Sequence, residues 1–448
     1  MLFIRIIDFK PLLKLTAYAL LLVALNACDQ STETPAKVQS KGQTLDAATS
    51  QPSSPDAASL NDQQVSQLHQ QLLTLDSHVD ISREYMREPA FDPGKKTDMK
   101  VDFDKMRRGG LDTVVFIVYV EQKKRDQAGY DAAYKAAIKK FDAIHKMTDE
   151  VYSDQIELAL TPADVYRINQ QGKLVAIIGV ENGYTLAKNL NRLDEFYRRG
   201  ARYLGLTHSG HNDICDSSAA KKSLGDVAQE HGGMSEFGQQ VVARMNQLGM
   251  MIDLSHASDK CVEDALKYSK APIIASHSGA RALHSHPRNL PDNLIKAIAD
   301  KGGVVQLVAY SGFIKDDPAR DAAYKAMKVE IAKTYHAEKF DYKYHEHTAE
   351  YASGMIQLNK DYPLASVSQY VDQIEHVIRI AGIDHVGISS DFDGGGELSN
   401  WQNASQSLNI TKELVKRGYN KQQLEKIWGK NFLTSWALIQ QSKSLNKE

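Results

Sequence analysis

Apolar and β-branched runs recur along this chain, separated by amphipathic stretches. The runs cover residues 72–80, 113–120, 174–182, 203–208, 250–256, 272–278, 303–308 and 385–391. Most are continuous rather than alternating, as in strands covered on both faces. Between them, residues 130–147, 191–199, 236–248, 259–269 and 367–381 carry apolar positions at helical spacing. Eight strands alternating with helices predict an α/β fold, a (β/α)8 TIM barrel in a single domain over residues 61–448. A doubly wound open sheet is the main competitor, and no Gly-rich phosphate loop supports it. Two segments fall outside the repeat. Residues 316–355 form a charged, helical insert after the seventh strand, on the face where barrels keep their active sites. It is expected to be a lid, a wall of the pocket or solvated decoration. After Trp401 a helical region is expected to end near Ala437.

The first sixty residues follow a different pattern. Arg5, Lys10 and Lys14 precede an apolar run over residues 15–27, short for a bilayer span and shaped like the core of a signal peptide. The run ends in Leu25-Asn26-Ala27-Cys28, which resembles a bacterial lipobox. That resemblance implies cleavage after residue 27, lipidation of Cys28 and anchorage to a membrane by acyl chains. An ordinary signal peptide with an incidental cysteine is the alternative. Asp29 favours the inner membrane, with the folded domain facing the periplasm. Residues 28–60 are rich in Ser, Thr, Gln, Ala and Pro, the composition of a flexible tether.

Composition narrows the function by exclusion. Lysine plus arginine (54) nearly balances aspartate plus glutamate (56), so no nucleic-acid-binding surface is expected. Beyond Cys28 only Cys215 and Cys261 remain, either as one bridge or as two free thiols.

The chemistry lies at the strand ends. His78 and Asp80 stand two apart on one strand, so both face the same side. Glu181 closes an apolar run, where a carboxylate is costly to bury unless it meets a cation or good donors. A salt bridge at the barrel mouth is its blander explanation. His256 and His277 end consecutive strands. Nitrogen and carboxylate donors without thiolates suit zinc in a catalytic site, and Glu181 could bridge two ions. His208 could ligate, or could polarise a substrate carbonyl. Asp391 opens the DFDG that follows the last strand and is a candidate proton carrier. Asp393 is either a helper or a turn residue beside three glycines.

In order along the chain stand LDSHVD, IIGVEN, LTHSGHNDICDSS, GGMSEFGQQVVARMNQLGMMIDLSH, ASHSGARAL, HPRNLPD, GISSDFDG and GKNFL. Together they resemble the membrane dipeptidase (renal dipeptidase) family of zinc metallopeptidases over roughly residues 65–440. The resemblance implies two zinc ions per subunit, one on His78 and Asp80 and the other on His256 and His277, with Glu181 bridging. It further implies that His208 stabilises the oxyanion, Arg288 holds the substrate's C-terminal carboxylate, and Asp391 moves the proton from the attacking water to the leaving amine. The activity implied is hydrolysis of dipeptides, extending to those with a C-terminal D-residue, and relatives of this kind are often homodimers. Other readings keep the site but change the substrate to N-acyl amino acids or β-lactam-like amides, or make the protein a non-catalytic peptide-binding lipoprotein. The chain departs from the family pattern at Glu181-Asn182-Gly183, where many relatives carry Glu-Gly-Gly, and at Val308-Ala309-Tyr310.

Overall fold

The computed structural model describes residues 60–345 and 348–445. The signal-peptide core, Cys28 and the tether lie outside the described residues. Among the described residues nine strands form: β1 (Leu75–Asp80), β2 (Thr113–Tyr119), β3 (Ile156–Leu158), β4 (Leu174–Glu181), β5 (Ala201–Gly205), β6 (Met251–Asp253), β7 (Ile274–Ser278), β8 (Val304–Val308) and β9 (Val386–Ser389). They pair in the order β1-β2-β4-β5-β6-β7-β8-β9, and every pairing is parallel. The ring closes just beyond β9. There the Asp391 N–H donates to the His78 carbonyl at 3.1 Å and the Asp80 N–H donates to the Phe392 carbonyl at 2.9 Å. The fold is the expected eight-stranded (β/α)8 barrel.

The ninth strand, β3, was not predicted. It pairs only with Leu174–Ala176 of β4, below the point where β5 takes over the same edge. Three residues are too few to show a period.

Register decides which side chains face inward. Tyr119 lies beside Glu181, Gly179 beside Tyr203, and Tyr203 beside Met251. These positions therefore share the inner face with Val115, Ile117, Val175, Ile177, Ile274 and Val304. Phe432, Leu433, Trp436 and Ile439 of the C-terminal helix pack onto the same cluster. That helix runs over Asn431–Leu445, past the expected end at Ala437, because its buried residues continue to Ile439. Gly179 is required for packing. A Cβ there would lie 2.3 Å from the Tyr203 ring, so glycine makes room for a tyrosine inside the barrel.

The outer layer follows its caps. Asp126, Ser235 and Ser258 each accept a backbone N–H at the start of helices Gln127–His145, Glu236–Leu248 and Asp259–Tyr268. Helices not singled out by their pattern, Phe103–Gly109, Pro162–Gln170 and Asp292–Asp300, also belong to the outer layer. The insert contains two longer helices, Pro318–Thr334 and Ala349–Asp361, and extends beyond residue 355. Cys215 and Cys261 form a disulfide, which ties the loop after β5 to the helix after β6. Of the two alternatives for these thiols, the structure takes the bridge.

Candidate metal centre and active site

The strand-end residues converge at the C-terminal mouth of the barrel. The Glu181 carboxylate stands in the middle, with its two oxygens facing opposite ways. Oε2 is 3.6 Å from His78 Nε2, while Oε1 is 3.1 Å from His256 Nε2 and 3.4 Å from His277 Nε2. The His256 and His277 Nε2 atoms are 3.0 Å apart. On the other side, Asp80 Oδ2 and Asp391 Oδ1 lie 3.7 and 4.0 Å from His78 Nε2. His208 joins Glu181 and His256 in a further cluster, with its ring centroid 4.2 Å from that of His256. All seven predicted residues therefore meet, although they are drawn from six strand ends. His208, His256 and Asp391 sit on loops rather than within strands, since β5, β6 and β9 stop at Gly205, Asp253 and Ser389.

Hydrogen bonding shows which ring nitrogens are available. Tyr203 Oη donates to the Ser77 carbonyl at 3.1 Å and therefore accepts from His78 Nδ1–H at 2.9 Å. Ser276 Oγ donates to Asp253 Oδ2 at 2.7 Å and accepts from His277 Nδ1–H at 2.8 Å. With Nδ1–H engaged in both imidazoles, Nε2 is the nitrogen turned to Glu181. His78 Nε2 is buried with no hydrogen-bond partner. A knot of imidazole and carboxylate acceptors with so few donors calls for cations, and each Glu181 oxygen has its own set of neighbours. The donor set fits divalent metal ions.

The electrostatics agree. Burial opposes charge on His78, yet the Glu181 and Asp80 carboxylates outweigh it and lift its pKa well above the imidazole range. The carboxylates that would draw a proton onto Nε2 would equally draw a metal ion. Burial, helped by the nearby Arg288 and His208, holds His256 well below that range; burial and His78 do the same for His277. Burial lowers His208 as well and keeps it a neutral donor. Asp391 is raised well above the carboxylate range by burial, reinforced by Asp80 and Glu181 against His78 and Arg288.

Arg288 sits at the rim. Its Nη2 donates to the His277 carbonyl at 3.1 Å, its guanidinium carbon lies 5.3 Å from the Phe313 ring centroid, and its Nε is buried without a partner. Burial brings its pKa down to about 10, which leaves it cationic at neutral pH. A cavity of about 1180 Å³ opens over the cluster, lined by Arg288, Tyr119, Lys140, Tyr310 and Phe313. Tyr351 reaches it from the insert, which therefore forms part of the pocket wall.

Backbone conformation marks the same place. His256, Asp391, Asp393 and Asn182 adopt φ of 69°, 57°, 60° and 78°, four of the eight non-glycine residues with positive φ among those described, a conformation uncommon outside glycine. Asn182 explains one departure from the family pattern. It tolerates positive φ as glycine does, and its amide uses that position. Nδ2 donates to the Val120 carbonyl at 3.1 Å, and Oδ1 accepts from Asn212 Nδ2 at 3.1 Å. The asparagine thus joins the loops after β2, β4 and β5. Asp393 is more than a turn residue, because its carboxylate accepts the Lys100 N–H at 2.9 Å.

Sequence reasoning missed the residues that orient the histidines. Tyr203, Ser276, Asp253 and Asp76 are all buried. Asp76 accepts from the Ser390 and His78 N–H groups, and burial raises its pKa to about 6. The only signal was an acidic residue inside each apolar run, in LDSHVD and MMIDLSH. Tyr203→Phe removes the acceptor for His78 Nδ1–H and is expected to weaken metal affinity about tenfold or more. Competition with a chelator measures this, and unchanged affinity would remove the tautomer argument.

The comparisons agree with this geometry. The sequence profile described as "Membrane dipeptidase (Peptidase family M19)" matches residues 62–448. The dipeptidase tcpJ of Claviceps purpurea is 29% identical over 355 residues, covering 78% of this chain and 72% of its own. The dipeptidase verJ of Clonostachys rogersoniana is 28% identical, covering 74% of each chain. Among solved structures, the probable dipeptidase PvdM from Pseudomonas aeruginosa superposes with a TM-score of 0.74 at 30% identity, covering 85% of this chain and 98% of that one. With the profile spanning the whole barrel, the chain belongs to the membrane dipeptidase family, peptidase family M19.

Proposed function

We propose that this protein is a zinc-dependent dipeptidase that holds two ions and cleaves dipeptides with a free C-terminal carboxylate. The observation that carries the reading is the divided Glu181 carboxylate, with one oxygen turned to His78 and the other to His256 and His277. His78 and Asp80 would hold one ion, His256 and His277 the other, and Glu181 both. Ions so held supply Lewis acidity and lower the pKa of water. The chain's own groups do the rest. Arg288, buried and with an unused Nε, pairs with the substrate carboxylate and sets its distance from the cluster. His208, kept neutral, donates an N–H to the carbonyl oxygen as negative charge develops there. Asp391 Oδ1 accepts the proton of the attacking water and returns it to the leaving amine nitrogen.

The proposal includes dipeptides whose C-terminal residue is of the D configuration. The Cys215–Cys261 bridge supports an oxidising compartment and so the periplasmic, lipid-anchored location proposed from Cys28. Among the described residues no helix is long and apolar enough to cross a membrane.

The test is amino-acid release from L,L and L,D dipeptides and from N-acyl amino acids, before chelation, after it, and after zinc is restored. Dipeptide hydrolysis that disappears with chelation and returns with two zinc ions per chain is expected. Faster turnover of N-acyl amino acids would move the assignment to an amidohydrolase with the same site. Silence from a folded, zinc-loaded protein would leave peptide binding as the function.

A further inference from the structure

Lys140 is a buried cation that the reaction above does not use. It is 8% exposed, on helix Gln127–His145, and its Nζ lies 5.6 Å from the centroid of the Tyr119 ring at the end of β2. That ring in turn packs against His208 at 4.7 Å. Among the described residues, no carboxylate reaches the Lys140 ammonium at ion-pair distance and no acceptor reaches it at hydrogen-bond distance. Burial lowers its pKa, and the acidic groups that act on it most, Asp80 and Glu181, face the metal cluster. An ammonium withdrawn from water without a partner is costly, and this one lines the catalytic cavity.

Its place relative to Arg288 gives it a role. Arg288 follows β7, whereas Tyr119 and Lys140 belong to β2 and the helix after it. Around the ring, β4, β5 and β6 separate β2 from β7 one way, and β8, β9 and β1 the other way. The two cations thus stand on opposite rims of the mouth, with the cluster between them. A dipeptide held by its C-terminal carboxylate on Arg288 places its N-terminal residue towards Tyr119 and Lys140. Beyond them, a second cavity of about 490 Å³ shares Tyr119 and Lys140 as lining, and there Arg83, Arg87, Lys123, Lys135 and Lys139 outnumber Glu84 and Glu121.

We propose that Lys140 selects the substrate by pairing with a carboxylate on the side chain of its N-terminal residue. The preferred substrates are then dipeptides that begin with aspartate or glutamate, and those that begin with lysine or arginine are disfavoured by like charge. The inference rests on the dipeptidase reading and adds the substrate class to it.

The experiment compares kcat/KM for Glu-Ala, Gln-Ala, Ala-Glu and Ala-Gln on the metal-loaded protein and on its Lys140→Met and Lys140→Arg variants. Glu-Ala is expected to exceed Gln-Ala about tenfold or more, as a charge-assisted pair exceeds a neutral one. Ala-Glu should gain no such advantage over Ala-Gln. In Lys140→Met the preference for Glu-Ala disappears, and in Lys140→Arg it keeps its sign. Both substrates are read on one preparation, so partial folding or partial loading lowers both rates and leaves their ratio intact. Equal rates on Glu-Ala and Gln-Ala in the unaltered protein, or a preference that survives in Lys140→Met, would overturn the proposal while leaving the dipeptidase reading in place. Hydrolysis of none of the four overturns both.

Discussion

Glu181→Gln is expected to abolish stable binding of divalent cations and, with it, hydrolysis. Glutamine keeps the size and shape of glutamate, so the inner packing of β4 is undisturbed. It replaces one carboxylate oxygen with an NH₂ group, which is a donor. That donor would face either His78 Nε2, now 3.6 Å from Oε2, or His256 Nε2, now 3.1 Å from Oε1. An imidazole lone pair meant for a metal would then accept an amide N–H, and the charge shared by both ion positions would be gone. Outer-shell changes alone cost about 10–100-fold in affinity or activity. Loss of the central carboxylate should exceed that range. Metal content after dialysis and kcat/KM after reloading are the two readings. A variant that retains two ions per chain and comparable turnover would remove Glu181 from the centre of the site.

Asp391→Asn is expected to lower kcat by about 10²–10⁴-fold, the usual share of a positioned acid or base, with KM changed much less. The substitution is mild in every respect except proton transfer. Asn tolerates the left-handed backbone that Asp391 holds at φ 57°, and the backbone bond from the Asp391 N–H to the His78 carbonyl does not involve the side chain. Gly394 leaves room beside it, since a Cβ there would stand 2.4 Å from Asp391 Oδ1. The amide therefore fits, but it can neither accept the proton of the attacking water nor return one to the amine. Steady-state kinetics with measured metal content separates this from loss of the ions. Undiminished turnover would end the assignment of Asp391 as proton carrier.

The elements and the candidate site were legible in the sequence for one reason. In a parallel barrel each strand is a continuous apolar run, and its C-terminal end opens onto a common mouth. A polar residue at the end of such a run is therefore already placed. His78, Asp80, Glu181 and His277 could be located from local context alone, and the order of motifs tied them to a family. Helix ends were legible where a capping residue stood before the apolar spacing, as at Ser235 and Ser258. Local pattern was less reliable where the backbone turns sharply. His208, His256 and Asp391 read as strand ends, yet the strands stop short of them, and His256 and Asp391 turn through φ 69° and 57°.

Burial periodicity is a property of a short stretch of chain, and the apolar runs, the capped helices and the strand-end ligands were all determined by stretches of that kind. Contacts across the barrel depend on how many strands close the ring and in what register, and no window of sequence contains that information. Only the tertiary structure set Tyr203 against His78, 125 positions away, through the space left by Gly179. Only closure of the ring placed Lys140 and Arg288 on opposite rims of one cavity. The Cys215–Cys261 bridge was decided in the same way, because pairing requires two thiols brought together in space rather than a particular spacing along the chain.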